Sequence, residues 1–205
     1  MAGGLIIAVC GESGAGKSTT TGLLRDEGFQ AYSLSGFLRS EAEEATGKPT
    51  RPQVQAHGRA MQARHGNDYY ARVLVENTDL LAQDLAVVDG LRNLDELAFL
   101  RAQAAARGAT LVLLALVLDA RTRFERVTGR ARAGDSPDMQ QFIADDARAN
   151  GAEGDFQNNL KLIEAADWRI LNSGNLPALQ AQIRDRVKTI LEATKKEISH
   201  ETGSS

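Results

Sequence analysis

Apolar residues in this chain fall into two alternating kinds of run. Short unbroken stretches, LIIAV at 5–9, QAYSL at 30–34, LAVVD at 85–89, TLVLLALVL at 110–118 and WRIL at 168–171, have the length and composition of strands. The first, third and fourth are apolar enough for burial on both faces, as in a parallel sheet. Between them lie segments in which apolar residues recur every three or four positions. In SGFLRSEAEEAT at 35–46, Phe37, Leu38, Ala42 and Ala45 fall on or near one stripe and the charges largely on another. Punctuation supports the division. Gly28 ends a helix begun at Lys17, and Gly47 with Pro49 ends the next. Thr50 and Gln53 form a capping box, with Pro52 in the first turn, for a helix to His65. Asn67 or Asp68 caps a helix predicted to reach Leu85, and Asn93 with Glu96 makes a second capping box for a helix to Arg107. Further helices are expected over 120–128, from Ser136 and Pro137 to Arg148, over 158–166, and from an Asn175 cap to about Ile198, before a frayed tail at 200–205.

Strands alternating with helices through right-handed crossovers predict an α/β fold: a mainly parallel five-stranded sheet with helices on both faces, a three-layer sandwich. A length of 205 residues suits one domain, here residues 1–199. In such sheets ligands bind at the carboxyl ends of the strands.

One motif selects the ligand. Gly11 to Ser18 reads GESGAGKS, a full match to GxxxxGK[ST], and it lies between a strand and a helix in the required order. This is a P-loop. Its glycines turn backbone N–H groups inward around phosphate, its lysine reaches the β and γ oxygens, and the next hydroxyl ligates Mg²⁺. The candidate nucleotide site is therefore Gly11, Ser13, Gly14, Ala15, Gly16, Lys17, Ser18 and Thr19, with ATP and Mg²⁺ as cofactors. Asp89 ends the third strand and precedes Gly90, Leu91 and Arg92, so a carboxylate and a guanidinium are expected in the same crevice as Lys17. Asp89 suits Mg²⁺ binding, alongside Ser18, or orientation of an acceptor, and Arg92 suits an acceptor phosphate. Arg39 and Arg59 are further acceptor-side candidates, on helices after the second strand. Arg121, Arg123, Arg126, Arg130 and Arg132 form a basic cluster beside Gly129 and Gly134, the composition of a lid that closes on a transferring phosphoryl group. Arg126 and Arg130, four apart, are the leading catalytic pair with Lys17 and Asp89.

The rest of the composition narrows the picture. A net charge of −3 advertises neither nucleic acid nor an anionic membrane. No run of about 18 apolar residues and no secretory leader pattern is present, which predicts a soluble cytoplasmic protein without a membrane partner. The single cysteine, Cys10, reads as a buried structural thiol. His57 and His65 lack a third spaced ligand for zinc, and Tyr69, Tyr70 and Trp168 read as packing anchors.

GESGAGKS, YSLSGFLRSEAEEATG, VVDGLRN, LDARTRFERVTGRARAGD and ADWRILNSG, in that order, resemble the nucleoside monophosphate kinase-like branch of P-loop kinases. The resemblance is to dephospho-coenzyme A kinase-like and deoxynucleoside monophosphate kinase-like proteins, over most of residues 5–195. It implies strand order 2-3-1-4-5, an acceptor-side helical region at about 36–85, and a lid at about 126–148. It also implies that Arg39, Arg59 and Arg92 face the acceptor, that Arg126, Arg130 and Arg132 belong to the lid, and that Asn172, Ser173 and Gly174 lie near adenine. Ser35 and Gly36 stand where many relatives carry an acid, which leaves Asp89 as the principal acceptor-side carboxylate and Ser35 as an acceptor contact. The chain also has DGLRN where adenylate-type kinases have DGFPR. The expected activity is transfer of the γ-phosphoryl group of ATP to a nucleotide-like small molecule. Two alternatives are a kinase acting on a hydroxymethylpyrimidine base within DNA and a nucleotide-dependent regulatory ATPase.

Overall fold

Every residue of β1 (Leu5–Gly11) is buried, because strands pair with it on both sides and helices cover both of its faces. Ile7 stands opposite Val87 of β3 (Leu85–Asp89) and opposite Val112 of β4 (Thr110–Val117). The outer strands are β2 (Gln30–Ser33), paired with β3, and β5 (Trp168–Leu171), paired with β4. All four pairings are parallel, and the order is β2-β3-β1-β4-β5, as the resemblance implied. This computed structural model describes residues 4–130, 138–151 and 158–202, with side chains as far as residue 192.

The two-residue strand period divides the core. Ile6, Ala8 and Cys10 point to one face, against α2 (Leu34–Thr46), α4 (Tyr69–Asn77), α5 (Leu94–Ala106) and α8 (Asn159–Glu164), through Leu38, Leu74, Leu100 and Leu162. Leu5, Ile7 and Val9 point to the other, against α1 (Lys17–Asp26) and α9 (Leu176–Thr202), through Leu24, Leu179 and Ile183. Between α2 and α4 stands α3 (Arg51–His65), and α6 (Ala120–Arg130) and α7 (Met139–Ala149) follow β4.

Three local expectations change. The helix starting near Asp68 stops at Asn77 rather than Leu85, because Asn77 and Thr78 turn their side chains back onto the carbonyls of Val73 and Leu74. Thr78 is extended, and a single 3₁₀ turn, Leu80–Ala82, leads into β3. At α5, Asn93 accepts from the N–H of Glu96 as a cap should, and the Glu96 carboxylate reaches beyond the Asn93 N–H to take that of Arg92 as well. The helix after the basic loop is capped by Asp138, which accepts from Gln141 N–H; Ser136 and Pro137 lie outside the described residues.

One glycine sets how β3 and α2 meet. Gly90 has φ +84°, and a Cβ there would lie 2.7 Å from the backbone nitrogen of Ser35 and 2.9 Å from its Oγ. Only hydrogen at that position lets the end of β3 approach the first turn of α2 this closely. Gly90→Ala is expected to destabilise the domain by about 2 kcal/mol or more, from left-handed strain and backbone collision together. Urea unfolding of the variant beside the wild type measures it, and a loss under about 0.5 kcal/mol, the range of an ordinary surface change, would refute the close-approach argument.

Candidate functional site

The turn from β1 into α1 holds its shape by contacts that exclude side chains. Gly11, Gly14 and Gly16 all have positive φ. A Cβ on Gly11 would meet the carbonyl oxygen of Leu116 at 2.6 Å, one on Gly14 that of Arg123 at 2.5 Å, and one on Gly16 the Nδ2 of Asn172 at 2.4 Å. Gly16 stands at the N-cap of α1 without a side chain to cap it, so the first N–H groups of the helix remain available to an anion. The Lys17 ammonium curls back over the loop, donating to the carbonyls of Gly11 (2.7 Å) and Glu12 (2.9 Å). Burial pushes its pKa down to about 8, with Arg92 and Arg130 adding repulsion and Cys10 and Asp89 pulling the other way. Directly beneath, burial drives the Cys10 thiol up to about 12, so it remains a protonated core group.

Two cavities flank this loop. The first, of about 600 Å³, is lined by Ser13, Gly14, Gly16, Lys17, Ser18 and Thr19 of the loop and helix start, and by Arg126, Arg130, Asn172 and Gly174 from across it. Asn172 is a clamp as well as a wall: its Nδ2 donates to Ala15 O (2.9 Å), while its own carbonyl accepts from Arg126 Nη2 (2.9 Å). Ala15 is fully buried beneath the loop. The second cavity, of about 680 Å³, also touches Ser13 and Lys17 and opens toward α2 and α3. Gly11, Ser35, Arg39 and Arg92 line it, together with Arg51, facing Glu43, the one acid lining it among the described residues. Arg39, Arg51 and Arg92 are close enough for the first two to depress the pKa of the third, behind the dominant effect of burial.

The predicted residues thus divide. The first cavity brings together Ser13, Gly14, Gly16, Lys17, Ser18, Thr19, Arg126, Arg130, Asn172 and Gly174, and the second Gly11, Ser35, Arg39 and Arg92, while Ala15 lines neither. Arg59 is exposed on α3 and is not brought to the second cavity. Asp89 lines neither cavity; it ends β3 with its Oδ1 buried and without a hydrogen-bond partner among the described residues. An orphaned carboxylate oxygen near Lys17, with the exposed hydroxyl-bearing Ser18 at the start of α1, fits a hard oxygen-seeking cation such as Mg²⁺. Among the described residues no group of three or more His, Cys, Asp or Glu could hold a metal unaided, so the remaining ligands would come from nucleotide and water.

The basic cluster is not one functional unit. Arg123 is 3% exposed and serves the interior. It pairs with Asp146 of α7 and with Glu12 of the P-loop (3.3 Å), and donates to the carbonyls of Leu118 (3.1 Å) and Ser13 (3.2 Å). Its guanidinium lies over the Phe142 ring, 5.3 Å from the centroid, and Asn150 Nδ2 reaches Glu12 Oε1 (3.1 Å). The helix following the basic loop is therefore tied to the P-loop by a buried ion-pair triad, although it falls within the expected lid. Arg121 is exposed and pairs with Glu125 on its own helix; Arg132 and Gly134 lie outside the described residues.

His57 sits 3.5 Å from Glu41, which also accepts from the hydroxyls of Tyr69 (2.7 Å) and Tyr70 (2.9 Å), so these groups brace α2, α3 and α4. His65 stacks on Tyr69 at 4.9 Å. Sequence reasoning missed Arg51 and the burial of Glu96. Arg51 carried a signal: a cation in the first turn of a helix opposes the helix dipole, so an arginine there asks for another reason. Glu96 carried none, because a capping-box glutamate is ordinarily solvated.

No protein-family model matches the chain. Among curated proteins, one from Staphylothermus marinus described as a UPF0200 protein is 29% identical over 195 residues, covering 95% of this chain and 97% of that one. A UPF0200 protein from Hyperthermus butylicus is 29% identical over 180 residues, covering 88% and 91%. Of solved structures, TT1252 from Thermus thermophilus superposes with a TM-score of 0.58 at 21% identity, covering 93% of this chain and 98% of that one. Shikimate kinase from Acinetobacter baumannii, in complex with shikimate, gives 0.52 at 16% identity, covering 93% and 94%. The chain has the fold of the P-loop kinases.

Two measurements probe the buried charges. Arg123→Ala leaves Asp146 and Glu12 without their shared partner and is expected to cost about 3–5 kcal/mol in urea unfolding, whereas Arg123→Met combined with Asp146→Leu and Glu12→Gln should recover most of that. Glu96 is 0% exposed, and burial lifts its pKa to about 7, against the pull of the Arg92 N–H and side chain. A carboxyl raised from its unfolded value contributes stability that is whole below the unfolded pKa and lost as pH rises through about 7. The stability difference between wild type and Glu96→Gln should therefore shift by about 3 kcal/mol between pH 4.5 and pH 8, to the disadvantage of the wild type at high pH. Parallel pH profiles would refute it.

Proposed function

We propose that the protein is an ATP-dependent kinase that transfers the γ-phosphoryl group to a small anionic acceptor of nucleotide-like type. The observation that carries this reading is that two cavities of comparable size meet at the same P-loop residues, Ser13 and Lys17. A regulatory ATPase needs only the first. The donor cavity offers backbone N–H groups, Lys17 and the guanidiniums of Arg126 and Arg130, which suit a triphosphate; the second offers Arg39, Arg51 and Arg92, which suit the anion of an acceptor. The small apolar side chains Pro49, Val54 and Leu91 beside them suit a nonpolar portion of that acceptor.

In this reading an acceptor oxygen attacks the γ-phosphorus in line and the bond to the leaving ADP oxygen breaks; where that oxygen is a hydroxyl its proton departs toward the Asp89 side of the crevice, and where it is an ionised phosphate oxygen no proton is transferred. Catalysis rests on positioning and charge. Lys17 stands between the cavities, and phosphate oxygens beside it would raise its lowered pKa and keep it cationic. Arg126, pinned to the Asn172 carbonyl, and Arg130 approach from the donor side, where charge spreads over the equatorial oxygens. Ser18 and Asp89 would hold Mg²⁺, whose charge would offset that of the nucleotide phosphates.

Lys17→Ala should lower kcat by about 10²–10³ while leaving thermal unfolding close to wild type, because its hydrogen bonds go to loop carbonyls and not into the core. Incubation with labelled ATP and a panel of nucleoside monophosphates, dephospho-coenzyme A, and plain and hydroxymethylated DNA identifies the acceptor. Label is expected in a small molecule. Label only in DNA would overturn the small-molecule reading, and ATP hydrolysis with no labelled acceptor would favour the regulatory ATPase.

A further inference from the structure

The acceptor-side guanidiniums come from three separate elements, and one buried carboxylate lies where two of these meet. Arg92 sits on the short connection between β3 and α5, Arg51 on the first turn of α3, and Arg39 on α2. The peptide of Arg92 is held at both ends: its N–H donates to Glu96 Oε2 (2.7 Å), and its carbonyl accepts from the N–H of Asn158 (2.6 Å). The other carboxylate oxygen, Glu96 Oε1, accepts from Gln62 Nε2 (3.2 Å) on α3, the helix that presents Arg51. Gln62 also donates to Asn67 O (2.8 Å), the same carbonyl that takes Asn93 Nδ2 (3.2 Å), so the start of α5 and the end of α3 share one acceptor. Glu96 and Gln62 are both buried, at 0% and 3% exposure.

An acid in this place is expensive to bury and adds no apolar contact that a leucine would not supply. It supplies instead a two-oxygen bridge between the Arg92 peptide and α3. We propose that Glu96 is a positioning residue of the acceptor site, setting the placement of the Arg92 guanidinium relative to Arg51 and so the affinity for the acceptor's anionic group. This rests on the reading of the second cavity as the acceptor site.

The test separates anion binding from nucleotide binding. With the donor cavity saturated by a non-hydrolysable ATP analogue, inorganic phosphate is titrated calorimetrically into wild type, Arg92→Ala, Glu96→Ala, Glu96→Gln and Gln62→Met. The affinity of each protein for the analogue itself is measured separately. Glu96→Ala is expected to weaken phosphate binding about tenfold, the scale on which losing a supporting hydrogen bond disturbs the group it orients, with analogue affinity within about twofold of wild type. It should also speed hydrogen exchange at the Arg92 amide. Glu96→Gln keeps an acceptor for that amide and should restore most of the phosphate affinity. Gln62→Met, which cuts only the link to α3, should give a smaller loss and serves if Glu96→Ala does not fold. Phosphate affinity unchanged in Glu96→Ala, or in Gln62→Met where that variant stands in, would overturn the role of Glu96 while leaving the acceptor site standing. Wild-type phosphate binding that Arg92→Ala does not weaken, or no wild-type binding at all, would overturn the acceptor-site reading and the role of Glu96 with it.

Discussion

The turn from β1 into α1 depends on holding the partly buried Lys17 ammonium on backbone carbonyls. Among the described residues it donates only to those of Gly11 and Glu12, while the charge of Asp89 acts on it without a hydrogen bond. The loop must therefore keep those carbonyls in place without nucleotide. It does so from three sides: the Leu116 carbonyl under Gly11, Arg123 under Gly14 and Ser13, and Asn172 against Gly16 and Ala15. The three glycines follow from this crowding at least as much as from phosphate, because any Cβ would strike one of these supports.

The supports explain how distant parts of the chain come to share one site. Asn172 follows β5, Leu116 lies in β4, and Arg123 lies in α6, so the first cavity is assembled by the parallel pairing that brings those strand ends beside β1. Arg123 adds a second consequence. Its pairing with Asp146 ties α7 to α6, and its pairing with Glu12 ties both helices to the loop. Beside the second cavity a buried acid has a comparable place: the Glu96 carboxyl gathers the Arg92 N–H and the Gln62 amide.

Much of this was legible in the chain. The strands follow from short unbroken apolar runs, which burial on two faces requires, and most helices from a period of 3.6. The P-loop follows because phosphate chemistry demands particular residues at fixed spacing. Asn77 and Thr78 show the limit: back-bonding side chains ended a helix whose apolar pattern ran on.

What the sequence by itself determined, then, was the layered α/β sheet, the nucleotide loop and the strand-end position of Asp89 and Arg92, since each is encoded by neighbours along the chain. Tertiary structure alone decided which arginines face a cavity. Arg126 and Arg123 stand three residues apart in one basic helix, yet the first lines a cavity beside the P-loop and the second is buried between Glu12 and Asp146. Arg51 reaches the second cavity and Arg59, two turns further along the same helix, does not. Charge is a property of the residue, but the role of a guanidinium is set by the carboxylates and peptides that long-range packing puts around it.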